Sequence, residues 1–367
     1  MIFITAKYLI ITSVVLYYIK YLILKNEEIK LIKDDFKLRP EEELLLCCAR
    51  TKVNPEIKDK IRDLAGKNLD WDYLIKMASR HRLKPLLYHN LNSVCPEMVP
   101  DDILGELKDY FNGNVRKNLL LTSELIKILE LLKTEGIEAV PYKGPVLASL
   151  AYGNLSLREF GDIDIFIKKH DVNAAIDILI SNGYNLDLND ISNDKYLKSQ
   201  REYKFTSKEV QIPIEIQWSV YGVSFYLQNN GEYLNSFKNI ESIKFANLTI
   251  LSFNPEILIL ILALHNAGHR WQYLIWTCDL AEIIQRYKLN WDKIIRESEK
   301  LGVKRILLIN LVLVIDLFDI EVPEKVLDEI NNDKHAEELS NHIKTKFFFK
   351  EFEKPSLINY SILQFKM

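Results

Sequence analysis

The sequence predicts an α+β fold, a small mixed β-sheet unit of order β-α-β-α-β-β set between amino- and carboxy-terminal helical regions. Three observations carry this: apolar residues at three- and four-residue spacing over residues 40–136, strand patterns between residues 137 and 220, and a return to helical spacing from Pro255. The chain has 367 residues, 48% hydrophobic and 27% charged. It is long enough for roughly two or three domains. The expected division is an apolar helix or anchor over 1–30, a helical region over 40–136, the α/β domain over 137–252 and a second helical domain over 253–352.

The first 24 residues are mostly apolar, but Lys7 and Lys20 leave only 12 uncharged residues between them. That is short of the roughly 20 needed to span a bilayer, although both lysines can snorkel. Three readings stand: a membrane-associated anchor, a helix packed on the body of the protein, or an extension that does little. No small-residue cleavage site follows, which argues against a secretory signal. "PEEELLLCCAR" opens on proline and acidic residues as a helix start should, and "DDILGELKDYFNGNVRKNLLLTSELIKILELLKTEG" is amphipathic up to Gly136. The short apolar run Ile137–Pro141 then leads into Lys143, Gly144 and a small helix. "REFGDIDIFIKKHD" reads as a strand, "DVNAAIDILISNGYNL" as a helix capped by Asp171 and closed by Gly183, and "YKFTSK" and "VQIPIEIQWSV" as two further strands. Four helical patterns follow: "PEILILILALHNAGHRW", "YLIWTCDLAEIIQRYK", "WDKIIRESEKLG" and "VKRILLINLVLVIDLF".

Charge and cysteine content exclude several classes. With 48 basic against 51 acidic residues, no extended basic surface for nucleic acid is expected. Cys47, Cys48, Cys95 and Cys278 form no CxxC pair, which argues against a zinc site or a disulfide framework and for a reducing, cytoplasmic setting.

The chemistry concentrates in the α/β part. Residues two apart on a strand share a face, so Asp162 and Asp164 project together while Ile163 and Ile165 point into the core. Two like charges a few Å apart repel unless a cation joins them. Mg²⁺ takes one or two carboxylates and fills its octahedron with water and substrate phosphate oxygens. Glu215 in "IPIEIQW" is the candidate third acid: Ile214 and Ile216 share one face, and Glu215 takes the other beside Pro213 and Gln217. Lys143 and Gly144 stand where a strand ends and a helix begins with Pro145 at its first turn, which presents free N–H groups to an anion. Arg158 is the second local cation; a phosphate contact and a salt bridge to Glu159 or Asp162 are both open for it.

Lys143, Gly144, Leu147, Tyr152, Arg158 and the run Gly161-Asp162-Ile163-Asp164 resemble the signature of the uncharacterised nucleotidyltransferase family, within the DNA polymerase β-like superfamily. "LHNAGHRWQYLIWTCDLAEII" is similar to a helical segment of the same family. The resemblance implies a nucleotidyltransferase domain that moves a nucleoside monophosphate from a nucleoside triphosphate such as ATP to an acceptor, releasing pyrophosphate. Two Mg²⁺ ions would be held by Asp162, Asp164 and Glu215, with Lys143, Gly144 and Arg158 on the nucleotide. The acceptor would be a hydroxyl on a small molecule, a peptide or a protein. The sequence departs from the superfamily in three places: Gly144 is followed by Pro145 rather than serine or glycine, the spacer to Asp162 is longer, and the third acid is glutamate.

His265 and His269 lie four residues apart on an expected helix and so share a face, but "HNAGH" lacks the glutamate of a zinc protease. They are assigned to an acceptor or base pocket with Asp279 orienting one ring, the alternative being a core histidine at 265. Trp271 and Trp276 either stack a base or pack; His81 carries no assignment. Two readings from other classes stay open: a catalytically silent, nucleotide-binding regulator, favoured by Gly144-Pro145, and a membrane-attached scaffold, favoured by the apolar amino terminus.

Overall fold

Side-chain caps start several of the helices. In the computed structural model, which describes residues 37–187, 202–208, 211–219 and 239–349, α1 spans Pro40–Cys48, α2 Pro55–Ala65, α3 Trp71–Arg80, α4 Lys84–Val94 and α5 Asp101–Thr134. Asn54 accepts the Ile57 N–H at 2.8 Å to open α2, and Asp70 accepts that of Tyr73 at 2.9 Å to open α3. The two buried acids of α1 face protein donors: Glu41 accepts from the Asp70 N–H and Glu42 from the Tyr73 hydroxyl, which ties α1 to α3. The long helix α5 ends just before Gly136, whose φ of 73° turns the chain back toward the sheet.

The sheet is mixed and five-stranded. Strands β1 (Ala139–Pro141), β2 (Ile163–Ile167), β3 (Tyr184–Leu186), β4 (Glu202–Ser207) and β5 (Pro213–Gln217) lie in the order β1-β2-β5-β4-β3. Only β2 and β5 run parallel; the other pairs are antiparallel. Between β1 and β2, α6 (Gly144–Leu147) passes directly into a π-wound turn, Ala148–Tyr152, and α7 (Val172–Ser181) connects β2 to β3. One sheet face carries Ile163, Ile165, Ile167, Ile214, Ile216 and Phe205. It shares a core with Leu121, Leu125, Ile128 and Leu132 of α5 and with Val172, Ala175 and Leu179 of α7. Asp171 stands before α7 as expected, but its side chain caps nothing; Gly183 closes the helix at φ 90°.

Two features go beyond the expected β-α-β-α-β-β order. Strand β3 adds an edge, and a separate hairpin of β6 (Ile240–Phe245) and β7 (Leu248–Phe253) follows the sheet, turning tightly through Ala246 at φ 49°. The carboxy-terminal helices are α8 (Pro255–Gly268), α9 (Leu274–Arg286), α10 (Trp291–Lys300), α11 (Lys304–Phe318), α12 (Glu324–Asn332) and α13 (Ala336–Ile343). Among the described residues no helix is long and apolar enough to cross a membrane. The apolar segment 1–30, with its expected anchor role, lies outside them.

Candidate active site

The parallel pairing of β2 with β5 decides where the acids stand. Asp164 is the register partner of Glu215, so their side chains leave the same sheet face side by side, and Asp162 stands just before β2, where its charge acts on Asp164. Lys204 is the register partner of Glu215 across β4, and Glu202 that of Gln217, so a fourth carboxylate and a cation join the face. Asp162 is exposed, Glu215 half-buried and Asp164 only 2% exposed.

Gln217 holds two of the acids together. Its amide nitrogen donates at 2.9 Å to Asp164 Oδ1 and at 2.9 Å to Glu215 Oε2, which sets those oxygens no more than about 6 Å apart. The Tyr142 hydroxyl donates to the Gln217 carbonyl oxygen at 2.5 Å and so fixes which way the amide points. Lys143 donates to Asp164 Oδ1 at 3.1 Å, and the Lys204 ammonium lies 3.2 Å from Glu215. Burial pushes the Asp164 carboxyl up to about 7; Lys143 opposes this, while Asp162 and Glu215 add to it. Burial alone would lower Lys143, but the charges of Asp164 and its neighbours raise it well above the usual lysine range.

Gly144 makes this packing possible. At φ 52°, a Cβ on it would lie 2.9 Å from the Asp162 carbonyl oxygen, so only glycine lets the turn after Lys143 close against the start of β2. The helix it opens is four residues long before the π-wound turn, so an anion there would meet a short dipole and depend on Lys143.

As the side chains stand, no group of three or more His, Cys, Asp or Glu among the described residues closes around a metal ion. Lys143 lies on Asp164 Oδ1 and Lys204 on Glu215 Oε1. The residues nevertheless fit a hard divalent cation. Asp164 Oδ2 is buried without a hydrogen-bond partner, an acceptor that neither lysine nor Gln217 satisfies.

A family model described as an uncharacterised nucleotidyltransferase matches residues 67–319, well over half of the chain. The chain belongs to this uncharacterised nucleotidyltransferase family. A search of curated proteins gave no significant match.

Two residues expected at the nucleotidyltransferase site have other partners. Arg158 meets neither Glu159 nor Asp162 in a salt bridge; its Nε and Nη2 each donate at 2.7 Å to the two oxygens of Asp279. Both groups are buried, and a guanidinium taken out of water needs a carboxylate beside it. Asp279, expected to orient a histidine ring, spends its oxygens on Arg158 and on the Tyr152 hydroxyl at 2.8 Å. Tyr152, Arg158 and Asp279 thus form one buried, hydrogen-bonded trio. Asn118 of α5 donates to the Arg158 and Leu155 carbonyls and Tyr110 of α5 to Glu159, so with Asp279 of α9 the segment before β2 is held from both sides.

His265 and His269 do come together, with ring centroids 4.5 Å apart and both packed against Trp276. Burial lowers both, His269 to about 4, and the charges of Lys143, Glu215 and Asp162 all act on His269. Both rings are therefore favoured in the neutral form. Trp271 packs in the core with its Nε1–H on Asn310. The residues that sequence reasoning missed are Tyr142, Gln217, Glu202 and Lys204. The signal for the last three was the period-two alternation itself, which places every second polar residue of β4 and β5 beside Glu215.

Proposed function

We propose that this nucleotidyltransferase moves a nucleoside monophosphate from a nucleoside triphosphate to a hydroxyl of an acceptor, with Asp162, Asp164 and Glu215 as the acids of the site. The observation that supports the reading is the register of β2 against β5, in which Glu215 is the direct partner of Asp164. These three side chains would hold Mg²⁺. When bound, the metal supplies charge neutralisation on the phosphates and a lowered acceptor pKa.

The chain's own residues divide the remaining tasks. Gln217, steered by Tyr142, keeps the Asp164 and Glu215 carboxylates in one orientation, so no reorganisation is needed when substrate arrives. Lys143 is the cation nearest to Asp164 and, given the Gly144 turn, the group best placed to meet phosphate oxygens. The acceptor oxygen attacks the α-phosphorus in line with departing pyrophosphate. His265, His269 and Trp276 are assigned to the wall facing the acceptor or the base. The reaction needs no extended nucleic-acid surface, and a small molecule, a peptide or a protein side chain would serve as acceptor.

The test is incubation with Mg²⁺ and each α-labelled nucleoside triphosphate, with the Asp162→Asn, Asp164→Asn double variant alongside. Pyrophosphate release by the wild type that the double variant lacks is the expected outcome. Nucleotide binding without release in both proteins would instead favour a silent regulator, a reading that the lysines seated on Asp164 and Glu215 also support.

A further inference from the structure

Three carboxylates converge on one amide. The Gln217 amide nitrogen lies 2.9 Å from Asp164 Oδ1, 2.9 Å from Glu215 Oε2 and 3.5 Å from Glu202 Oε2. It carries two hydrogens, so the three oxygens compete for them. The two glutamates turn their other oxygens to Lys204, whose ammonium lies 3.2 Å from Glu215 Oε1 and 3.4 Å from Glu202 Oε1. Lys143 lies 3.1 Å from Asp164 Oδ1, and the buried Oδ2 of that aspartate has no hydrogen-bond partner. These three acids already outnumber the two lysines, and the charge of Asp162 acts on Asp164 as well.

The two lysines are not held alike. Lys143 is 14% exposed and pairs with a buried aspartate, whereas Lys204 is 48% exposed and pairs with two half-buried glutamates. An ammonium that keeps much of its hydration gains little from such pairs and gives them up readily. Its four-carbon stem lets the head move while β4 stays in place. Lys204 screens Glu202 from Glu215, which would repel each other if it left with nothing in exchange. A divalent cation on the acids would neutralise the face in its stead, and phosphate oxygens would give the displaced ammonium a new partner. Neither ligand does both. Metal alone leaves the lysine without a counter-charge, and triphosphate alone meets a face with excess negative charge.

We propose that Lys204 is an exchangeable counter-ion, which neutralises Glu202 and Glu215 and passes from them to the phosphates of the nucleotide when metal and nucleotide bind together. Lys204 is then a binding residue for the nucleotide, and Glu202 is its resting partner. The proposal rests on the acids being a nucleotide site. It makes the two ligands interdependent: the factor by which triphosphate tightens metal binding is the factor by which metal tightens triphosphate binding.

Two measurements on the full chain test this, with inorganic tripolyphosphate as the phosphate probe. The first is the rate at which an acylating reagent modifies Lys204 in the wild type, read by mass spectrometry. The rate should rise with saturating Mg²⁺ alone and fall again when tripolyphosphate is added with the Mg²⁺. Equal rates in all three conditions would overturn the proposal, and this comparison decides even if no variant folds. The second is titration calorimetry of Lys204→Gln beside wild type, with Lys325→Gln as a control that removes one charge from the surface pair with Asp292. In Lys204→Gln the Kd for Mg²⁺ alone should fall about fivefold, because no ammonium has to be displaced, while the Kd for Mg²⁺ with tripolyphosphate should rise about tenfold. Lys325→Gln should change neither. A permanent salt bridge at Lys204 would move both constants in the same direction and a bystander would move neither. Either result, or a wild type that binds no tripolyphosphate with Mg²⁺, sinks the idea. Exchange at Lys204 without pyrophosphate release from any nucleoside triphosphate would keep this inference and remove the transfer reading. Release with Lys204 labelled alike in all three conditions would do the reverse.

Discussion

At the scale of single residues, Gly144 shows how closely the backbone and the acids are coupled. Alanine there would meet the Asp162 carbonyl at 2.9 Å in a conformation that L-residues rarely adopt. Gly144→Ala is expected to cost about 1–3 kcal/mol, read as a lowered urea midpoint, and to loosen Mg²⁺ affinity because Asp162 itself is the group displaced. A midpoint equal to wild type would show that the turn adapts. At this scale the acids were legible: two aspartates two apart on an apolar strand, and a glutamate between isoleucines, have few structural explanations. Gln217 and Tyr142 were not, because an amide and a phenol on a strand face acquire a role only when a partner from another strand is known. The left-handed turn at Arg82, φ 60°, was hidden for a different reason. Nothing in "SRHRLKP" signals a positive φ, since no glycine or asparagine marks it.

Among the elements, the segment between the π-wound turn and β2 stands out, because it is held by α5 on one side and α9 on the other. Asn114 and Asn118 bind its carbonyls, and Arg158 reaches Asp279, a partner 121 residues away. Asp279→Ala would leave the Arg158 guanidinium buried without a counter-charge, a loss of about 3–5 kcal/mol by chemical denaturation. The double variant Arg158→Met, Asp279→Leu should recover a large part of it, since an apolar pair of similar size carries no desolvation cost. If the double variant is as unstable as the single one, the pair does more than neutralise itself. Long-range pairing of this kind cannot be read from spacing, which is why Asp279 was not foreseen as the partner of Arg158. The four carboxy-terminal helical patterns were legible because each is long and periodic. Strand β3 is three residues long, and the β6–β7 hairpin turns at Ala246-Asn247 without glycine or proline, so neither carries a strong local signal.

At the largest scale, the described residues from Arg39 onward belong to one compact unit, although the sequence reads as a succession of helical, mixed and helical zones. His81 is one of the ties that close it. Its Nδ1 accepts from Leu274 and its Nε2–H donates to the Phe348 carbonyl at 2.9 Å, so one neutral ring joins the end of α3 to the start of α9 and to the segment after α13. Burial lowers the ring from 6.5 to about 4. Between those values the unfolded chain binds a proton that the folded chain refuses. The contribution is therefore complete above pH 6.5 and is lost as pH falls toward 4, about 3 kcal/mol in all. Asp164 acts in the opposite direction, because its raised carboxyl favours the fold at lower pH. The comparison that isolates His81 is the difference in unfolding free energy between pH 7.5 and 4.5 in wild type and in His81→Gln. The variant should show the smaller acid loss, and an equal loss in both would assign the acid sensitivity elsewhere. Sequence reasoning left His81 without a role because both of its partners are distant in the chain.

The side-by-side seating of β2 and β5 separates two kinds of sequence change. Because α7, β3 and β4 lie between them along the chain, connecting stretches there can grow or shrink and Asp164 and Glu215 will still meet, provided β5 returns in step. Deleting one residue between Pro213 and Glu215 is another matter: it would swap the strand's two sides, bring an isoleucine up beside Asp164, and drive a glutamate into the aliphatic interior.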